Sequence, residues 1–147
     1  MLIACCGAQI ATVSTPSSRA LAAHLERVGA RMYGAFWCSH CAEQKAAFGA
    51  GAPLPYVECF PEGYRKGVQM APACKAAKLD GFPTWALPDG TKARPSWLHM
   101  NSSGLLTRFP YSYSQLEGDQ TLEKLAQLTG YDGPALQLPA PAEEEAP

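Results

Sequence analysis

Residues 36–45 read FWCSHCAEQK: two cysteines three positions apart, an aromatic pair in front and Ser-His between them. What flanks this run decides how to read it. Before it, Arg31–Phe36 (RMYGAF) is short and aromatic, the pattern of a buried strand. After it, Cys38–Phe48 is rich in Ala, Glu, Gln and Lys, which are good helix formers, and it stops at Gly49-Ala50-Gly51. Cys38 is therefore expected where a strand ends and a helix begins.

That position has chemical consequences. A sulfur at a helix N-terminus faces unpaired N–H groups and the positive end of the helix dipole, and both favour S⁻ over SH. His40 adds a positive or hydrogen-bonding neighbour. Cys-X-X-Cys sites of this kind have thiol pKa values from about 7 down to about 3.5. Cys41, one turn later, should point back toward Cys38 and be more shielded. One cysteine would then attack a disulfide and the other would resolve the mixed disulfide. Three other readings fit less well. Zinc wants four ligands, usually in paired spacings, whereas here Cys59 and Cys74 are isolated and His24 and His99 lie far off; no metal is expected. A disulfide closing so short a loop removes little chain entropy. Two inert buried thiols sit poorly with the polar Ser-His between them.

The rest of the chain supplies one domain. It has 147 residues, 47% hydrophobic and 17% charged, with a net charge of −1. That is enough for one core, and it gives no electrostatic reason to bind nucleic acid or an anionic membrane. Pro16-Ser17-Ser18 starts a helix with Ser as N-cap. Leu21, Leu25 and Val28 form its apolar stripe, and Gly29 ends it. Pro55–Phe60 (PYVECF) reads as a second strand, Val68–Lys78 as a helix, Thr84–Leu87 as a third strand turning at Pro88-Asp89-Gly90, and Asp119–Thr129 as the last helix, stopped by Gly130. This order implies an α/β fold: a central mixed sheet with helices on both faces, the first two strands parallel and joined by a right-handed crossover.

Three stretches are set apart. Residues 1–15 begin apolar but are too short to span a bilayer; they read as a remnant or linker, and the adjacent Cys5 and Cys6 pair only with strain. Residues 133–147, Pro/Ala/Glu-rich, read as a disordered tail. Residues 93–115 lack a sustained period and read as an insertion before the last helix. Either its Trp97, Phe109, Tyr111 and Tyr113 contact a substrate, or the segment is an addition that folds poorly; the second is favoured.

A further motif, GFPTW at residues 81–85, precedes the third strand. Pro83 cannot donate to a ladder and so belongs at a strand start; an ordinary trans bond is the default there. Together, WCxxC after an aromatic strand and Pro-Thr before the third strand resemble the thioredoxin fold. The runs MYGAFWCSHCAEQKAAFG, YVECFPEGYRKG, CKAAKLDGFPTW and QTLEKLAQLTGY are more specific. They resemble the thioredoxin-like domain fused behind a vitamin K epoxide reductase-type membrane domain in plants, algae and cyanobacteria, over roughly residues 16–92 and 116–132.

The resemblance implies a thioredoxin-like fold over residues 16–132, with a cis Phe82–Pro83 bond facing a redox-active Cys38–Cys41 disulfide and no other cofactor. It implies substrate contacts at Trp37, Phe82 and Pro83. It also pairs Cys59 with Cys74, and closing a loop of about 15 residues would contribute roughly 3 kcal/mol in the chain-entropy picture. Such a bridge implies an oxidising compartment: the thylakoid lumen of a chloroplast, or a periplasm-like space, although no targeting signal is legible. Expected partners are protein thiols and a vitamin K epoxide reductase-like membrane domain as electron acceptor, the chain itself being a monomer. Met32 stands where thioredoxins carry a buried Asp. With His40 beside Cys41, this favours an oxidase or isomerase; the alternatives are a general thioredoxin-like reductant and a non-catalytic binding module.

Overall fold

The computed structural model describes residues 12–88 and 113–137. The elements run α1 (Pro16–Val28), β1 (Arg31–Gly34), α2 (Ser39–Phe48), β2 (Tyr56–Glu58), α3 (Pro72–Ala77), β3 (Thr84–Pro88), β4 (Tyr113–Glu117) and α4 (Leu122–Thr129). The sheet order is β2-β1-β3-β4. β1 is parallel to β2 and antiparallel to β3, and β3 is antiparallel to β4. This is the expected mixed α/β sheet, in an arrangement consistent with a thioredoxin-like fold.

Strand alternation sorts the side chains to two faces. Met32, Trp85 and Leu87 join Leu21 and Leu25 of α1, Phe48 of α2, and Leu122 and Leu125 of α4 in the larger core. Tyr33 and Val57 pack toward a smaller cluster of Ala35, Cys59, Phe60 and Cys74. Three helices thus cover one face and α3 the other. Each fully buried Leu or Met in the larger core is worth about 1.5–3 kcal/mol relative to exposure.

Local chemistry moves most of the expected boundaries. The cap of α1 is Thr15, not a serine: Pro16 takes the first helical position, where a missing N–H costs nothing. Thr15 and Ser18 close a reciprocal capping box, each side chain accepting the other's amide. β1 ends at Gly34 because the next backbone groups turn away: Ala35 O accepts the Cys38 amide and the Phe36 amide donates to Glu58. α3 starts at Pro72 rather than Val68, since the Ala71 amide is committed to Cys59 O at 2.8 Å and a residue before proline avoids helical angles. α4 starts after Thr121, its N-cap, because the Gln120 amide donates to Gln44 Oε1 instead.

The segments set apart from the fold are also corrected. Residues 113–115, expected inside the 93–115 insertion, belong to β4 instead: Tyr113, Ser114 and Gln115 pair with Pro88, Leu87 and Ala86; Trp97, Phe109 and Tyr111 lie outside the described residues. Before residue 16, Val13 bridges to Ala50, and Thr12 Oγ1 donates to Ala46 O at 2.7 Å. Beyond residue 132, the Gln137 amide donates to Ser17 Oγ at 2.9 Å, and Leu136 packs against the main core. The chain on either side of the expected domain thus clasps α1 and the end of α2.

Cys59 and Cys74 form a disulfide across a sequence separation of 15 residues, fully buried between the end of β2 and α3. Replacing both by alanine should lower the unfolding free energy by roughly 3 kcal/mol in the chain-entropy picture, which urea titration of the double variant would measure.

Candidate active site

Cys38 is the N-cap of α2, extended at φ −78° and ψ 112°. Its amide donates to Ala35 O at 3.0 Å, and its carbonyl accepts the Ala42 amide at 3.1 Å. Its Sγ accepts the Cys41 amide at 3.2 Å, so the sulfur caps the helix as a serine hydroxyl would. The thiol is half-buried. Cys41, one turn on, is only 1% exposed and points into the larger core. Both cysteines are free thiols.

Burial pushes the Cys41 thiol up from its ordinary 9.0 to about 12. Its hydrogen bond with Cys38 acts in the same direction, while the hydrogen bond with the Ala35 backbone and the Lys45 ammonium pull the other way. At neutral pH Cys41 therefore keeps its proton, and whatever makes it a nucleophile must remove that proton.

The wall beside Cys41 holds groups that spacing did not single out. A Cβ on Gly34 would sit 2.8 Å from Cys41 Sγ, 2.8 Å from the Tyr56 ring and 3.2 Å from the Tyr56 hydroxyl, so only glycine fits between them. The Tyr56 hydroxyl donates to Glu58 Oε2 at 2.7 Å. Glu58 Oε1 accepts the Phe36 amide at 3.3 Å and the Phe60 amide at 3.0 Å. Lys45 Nζ lies 3.4 Å from the centre of the Tyr56 ring. Tyr56 and Glu58 stand two apart in PYVECF, which places them on one face of a strand; that alternation was the available signal.

The other expected site residues are placed as follows. His40 is exposed, and its Nδ1 lies 3.2 Å from Glu43 Oε2 and 3.4 Å from Asp119 Oδ1, so the ring is engaged by carboxylates. These three residues bring one ligand atom each within 4.8 Å of one another, all solvent-exposed. They are the group of potential metal ligands among the described residues, and such surface gatherings are common without an ion. Trp37 is 47% exposed and packs against Phe36, Phe60 and Tyr64, with ring centres 4.8–5.2 Å apart. Phe36 and Trp37, which precede Cys38 in the chain, line with Tyr64 an open basin of about 540 Å³. The Phe82–Pro83 bond is cis. Phe82 bridges the two cores, whereas Pro83 is fully buried, with its carbonyl accepting the Gly118 amide at 2.8 Å. Met32 is likewise fully buried in the apolar core.

This chain is similar to a plant oxidoreductase. It is 42% identical over 125 residues to the thiol-disulfide oxidoreductase LTO1 of Arabidopsis thaliana. The alignment covers 84% of this chain but only 27% of that protein, so the chain spans about a quarter of its relative's length. No protein-family model matches the chain.

Two outcomes follow from the burial difference. Iodoacetamide at neutral pH should label Cys38 and spare Cys41, as peptide mass spectrometry would show. The pH dependence has a definite sign. Above about 9 the unfolded chain releases the Cys41 proton while the fold retains it up to about 12, so the unfolded state binds fewer protons and stability falls as pH rises. The reduced protein should lose stability across that alkaline window and the Cys41→Ala variant should lose less, compared by urea midpoints.

Proposed function

We propose that the chain is a protein thiol–disulfide oxidoreductase of the oxidase or isomerase type, with Cys38 as the exchanging sulfur and Cys41 as its resolving partner. One observation carries this reading: a half-exposed sulfur caps a helix and accepts the amide of a second, buried cysteine that stays protonated. The likeness to a thiol-disulfide oxidoreductase over most of this chain supports it.

In the oxidising direction, a substrate thiolate attacks Cys38 Sγ of the Cys38–Cys41 disulfide. A substrate–Cys38 bond forms, the Cys38–Cys41 bond breaks, and Cys41 leaves as a thiolate that takes up a proton. A second substrate thiolate then attacks the substrate sulfur and Cys38 leaves. The substrate is oxidised to a disulfide, and its two electrons reside on the Cys38–Cys41 dithiol. A disulfide of a vitamin K epoxide reductase-like membrane domain then takes those electrons by the same exchange in reverse. No cofactor beyond the cysteine pair is needed.

Trp37 and the basin it shares with Phe36 and Tyr64 offer protein substrates an apolar contact beside Cys38, with Phe82 below. His40, held between Glu43 and Asp119, adjusts the charge at the start of α2. The buried Cys59–Cys74 bridge supports an oxidising compartment, for which the thylakoid lumen is our choice, and the chain works there as a monomer. The fully buried Met32, at the place of the thioredoxin Asp, favours this direction over a general reductant.

Changing Cys41 to Ser should trap mixed disulfides through Cys38, visible as reducible adducts on non-reducing gels; a binding module would form none. A redox titration of the Cys38–Cys41 pair should give a midpoint above the roughly −270 mV of thioredoxin. A midpoint at or below that value would favour the general reductant instead.

A further inference from the structure

The reaction has one unassigned proton. Cys41 keeps its proton at neutral pH, yet it must lose it to attack the mixed disulfide and regain it when the disulfide is opened. In the apolar core around it, Met32 offers no base. Besides Cys38 itself, a polar chain begins across Gly34, where the sulfur and the Tyr56 hydroxyl line the same small space, 2.8 and 3.2 Å from the position a Cβ would take. From that hydroxyl a 2.7 Å hydrogen bond leads to Glu58.

We infer that Tyr56 and Glu58 form the proton path of Cys41, with Tyr56 as the relay and Glu58 as the acceptor. The inference rests on the exchange chemistry proposed above and adds its base. In the resolving step the Cys41 S–H proton passes to the Tyr56 oxygen as the Tyr56 O–H proton passes to a Glu58 carboxylate oxygen. The Cys41 sulfur attacks Cys38 Sγ. The Cys38–Cys41 bond forms, the bond from Cys38 to the bound sulfur breaks, and that sulfur departs as a thiolate with the electron pair. In this step Cys41 is oxidised and the departing sulfur is reduced. Glu58 then returns its proton to water. When a substrate thiolate opens the Cys38–Cys41 bond, the same path runs backward and protonates Cys41.

The surroundings fit a relay. The Tyr56 phenol is shifted upward by burial and by Glu58, so it remains O–H and transmits a proton rather than storing a charge. Among the described residues, the titratable groups that act on Cys41 are Cys38 at the N-cap of α2 and Lys45 within it, and Tyr56 of β2 feels both cysteines and Glu58. Lys45, over the Tyr56 ring, favours negative charge on either side of the transfer. Glu58 also fixes the Phe36 amide just before Cys38, so a single carboxylate serves both the proton path and the geometry of the attacking loop.

The test uses the full chain with Cys5 and Cys6 replaced by serine, reduced at Cys38 and Cys41, and mixed with dithiobis-nitrobenzoate in a stopped-flow spectrometer. Cys38 releases one nitrothiolate on forming the mixed disulfide, and Cys41 releases the second on resolving it. Tyr56→Phe keeps the ring and removes only the hydroxyl. It should leave the first phase unchanged and slow the second by about 10²-fold at neutral pH, the lower end of what a positioned proton acceptor supplies. The deficit should close as pH rises and hydroxide takes the Cys41 proton. Glu58→Gln should lower the ratio of second to first phase with the same pH dependence. A second phase in Tyr56→Phe that matches wild type at every pH, or that is slowed equally at every pH, would overturn the relay while leaving the exchange chemistry standing. A wild-type protein with no second phase would remove both.

Discussion

The first turn of any α-helix leaves amides without partners inside the helix. In α2 one of these, the Cys41 N–H, is answered by Cys38 Sγ. Much of the site follows from that contact. It fixes the sulfur at the mouth of the helix, and the helical rise then puts the next cysteine one turn deeper, against the sheet. β1 must stop at Gly34 for the chain to turn into this cap, and the Phe36 amide freed by the stop is taken up by Glu58. The cap, the short strand and the carboxylate on the neighbouring strand are therefore mutually dependent.

The two cysteines differ because the fold treats them differently. A half-exposed sulfur at the surface can meet a large partner, and a buried one cannot. Desolvation holds the inner thiol in its neutral form, which keeps it from competing for the partner but leaves it in need of a base. Glycine at position 34 leaves room for the inner sulfur and the phenol of β2 to lie against the same stretch of backbone. Any side chain there would push one of them away.

Much of this was legible in the residues, and the reasons for the rest are physical. Strong periodicity and long-range consistency revealed the helices and the place of Cys38, because an apolar stripe ending at Gly29 and a strand–CxxC–helix run have few other solutions. Boundaries were less legible because they depend on single hydrogen bonds to distant groups: the Gln120 amide to Gln44, the Ala71 amide to Cys59. β4 was not legible because its pairing partner, β3, lies across a segment without a readable period. Tyr56 and Glu58 went unnoticed because a tyrosine and a glutamate two apart are unremarkable until the fold sets them beside Gly34. Leu136 and Gln137 looked like tail by composition, yet two contacts suffice to dock them on α1.

Gln44 carries a further consequence. Its side-chain amide is buried, accepts from Trp85 Nε1 at 3.0 Å and from the Gln120 amide at 2.6 Å, and donates to Gln120 O at 3.0 Å. Sliding or rotating α2 would strand several desolvated polar groups together, at about 1–3 kcal/mol for each one left unpaired. The middle of the helix is thus bolted to β3 and to the approach to α4. Making or opening a bond between the sulfurs has to be absorbed in the first turn. Among the described residues, a change at the sulfurs thus meets a fixed helix one turn on, and its imprint falls on the sulfurs' own rim.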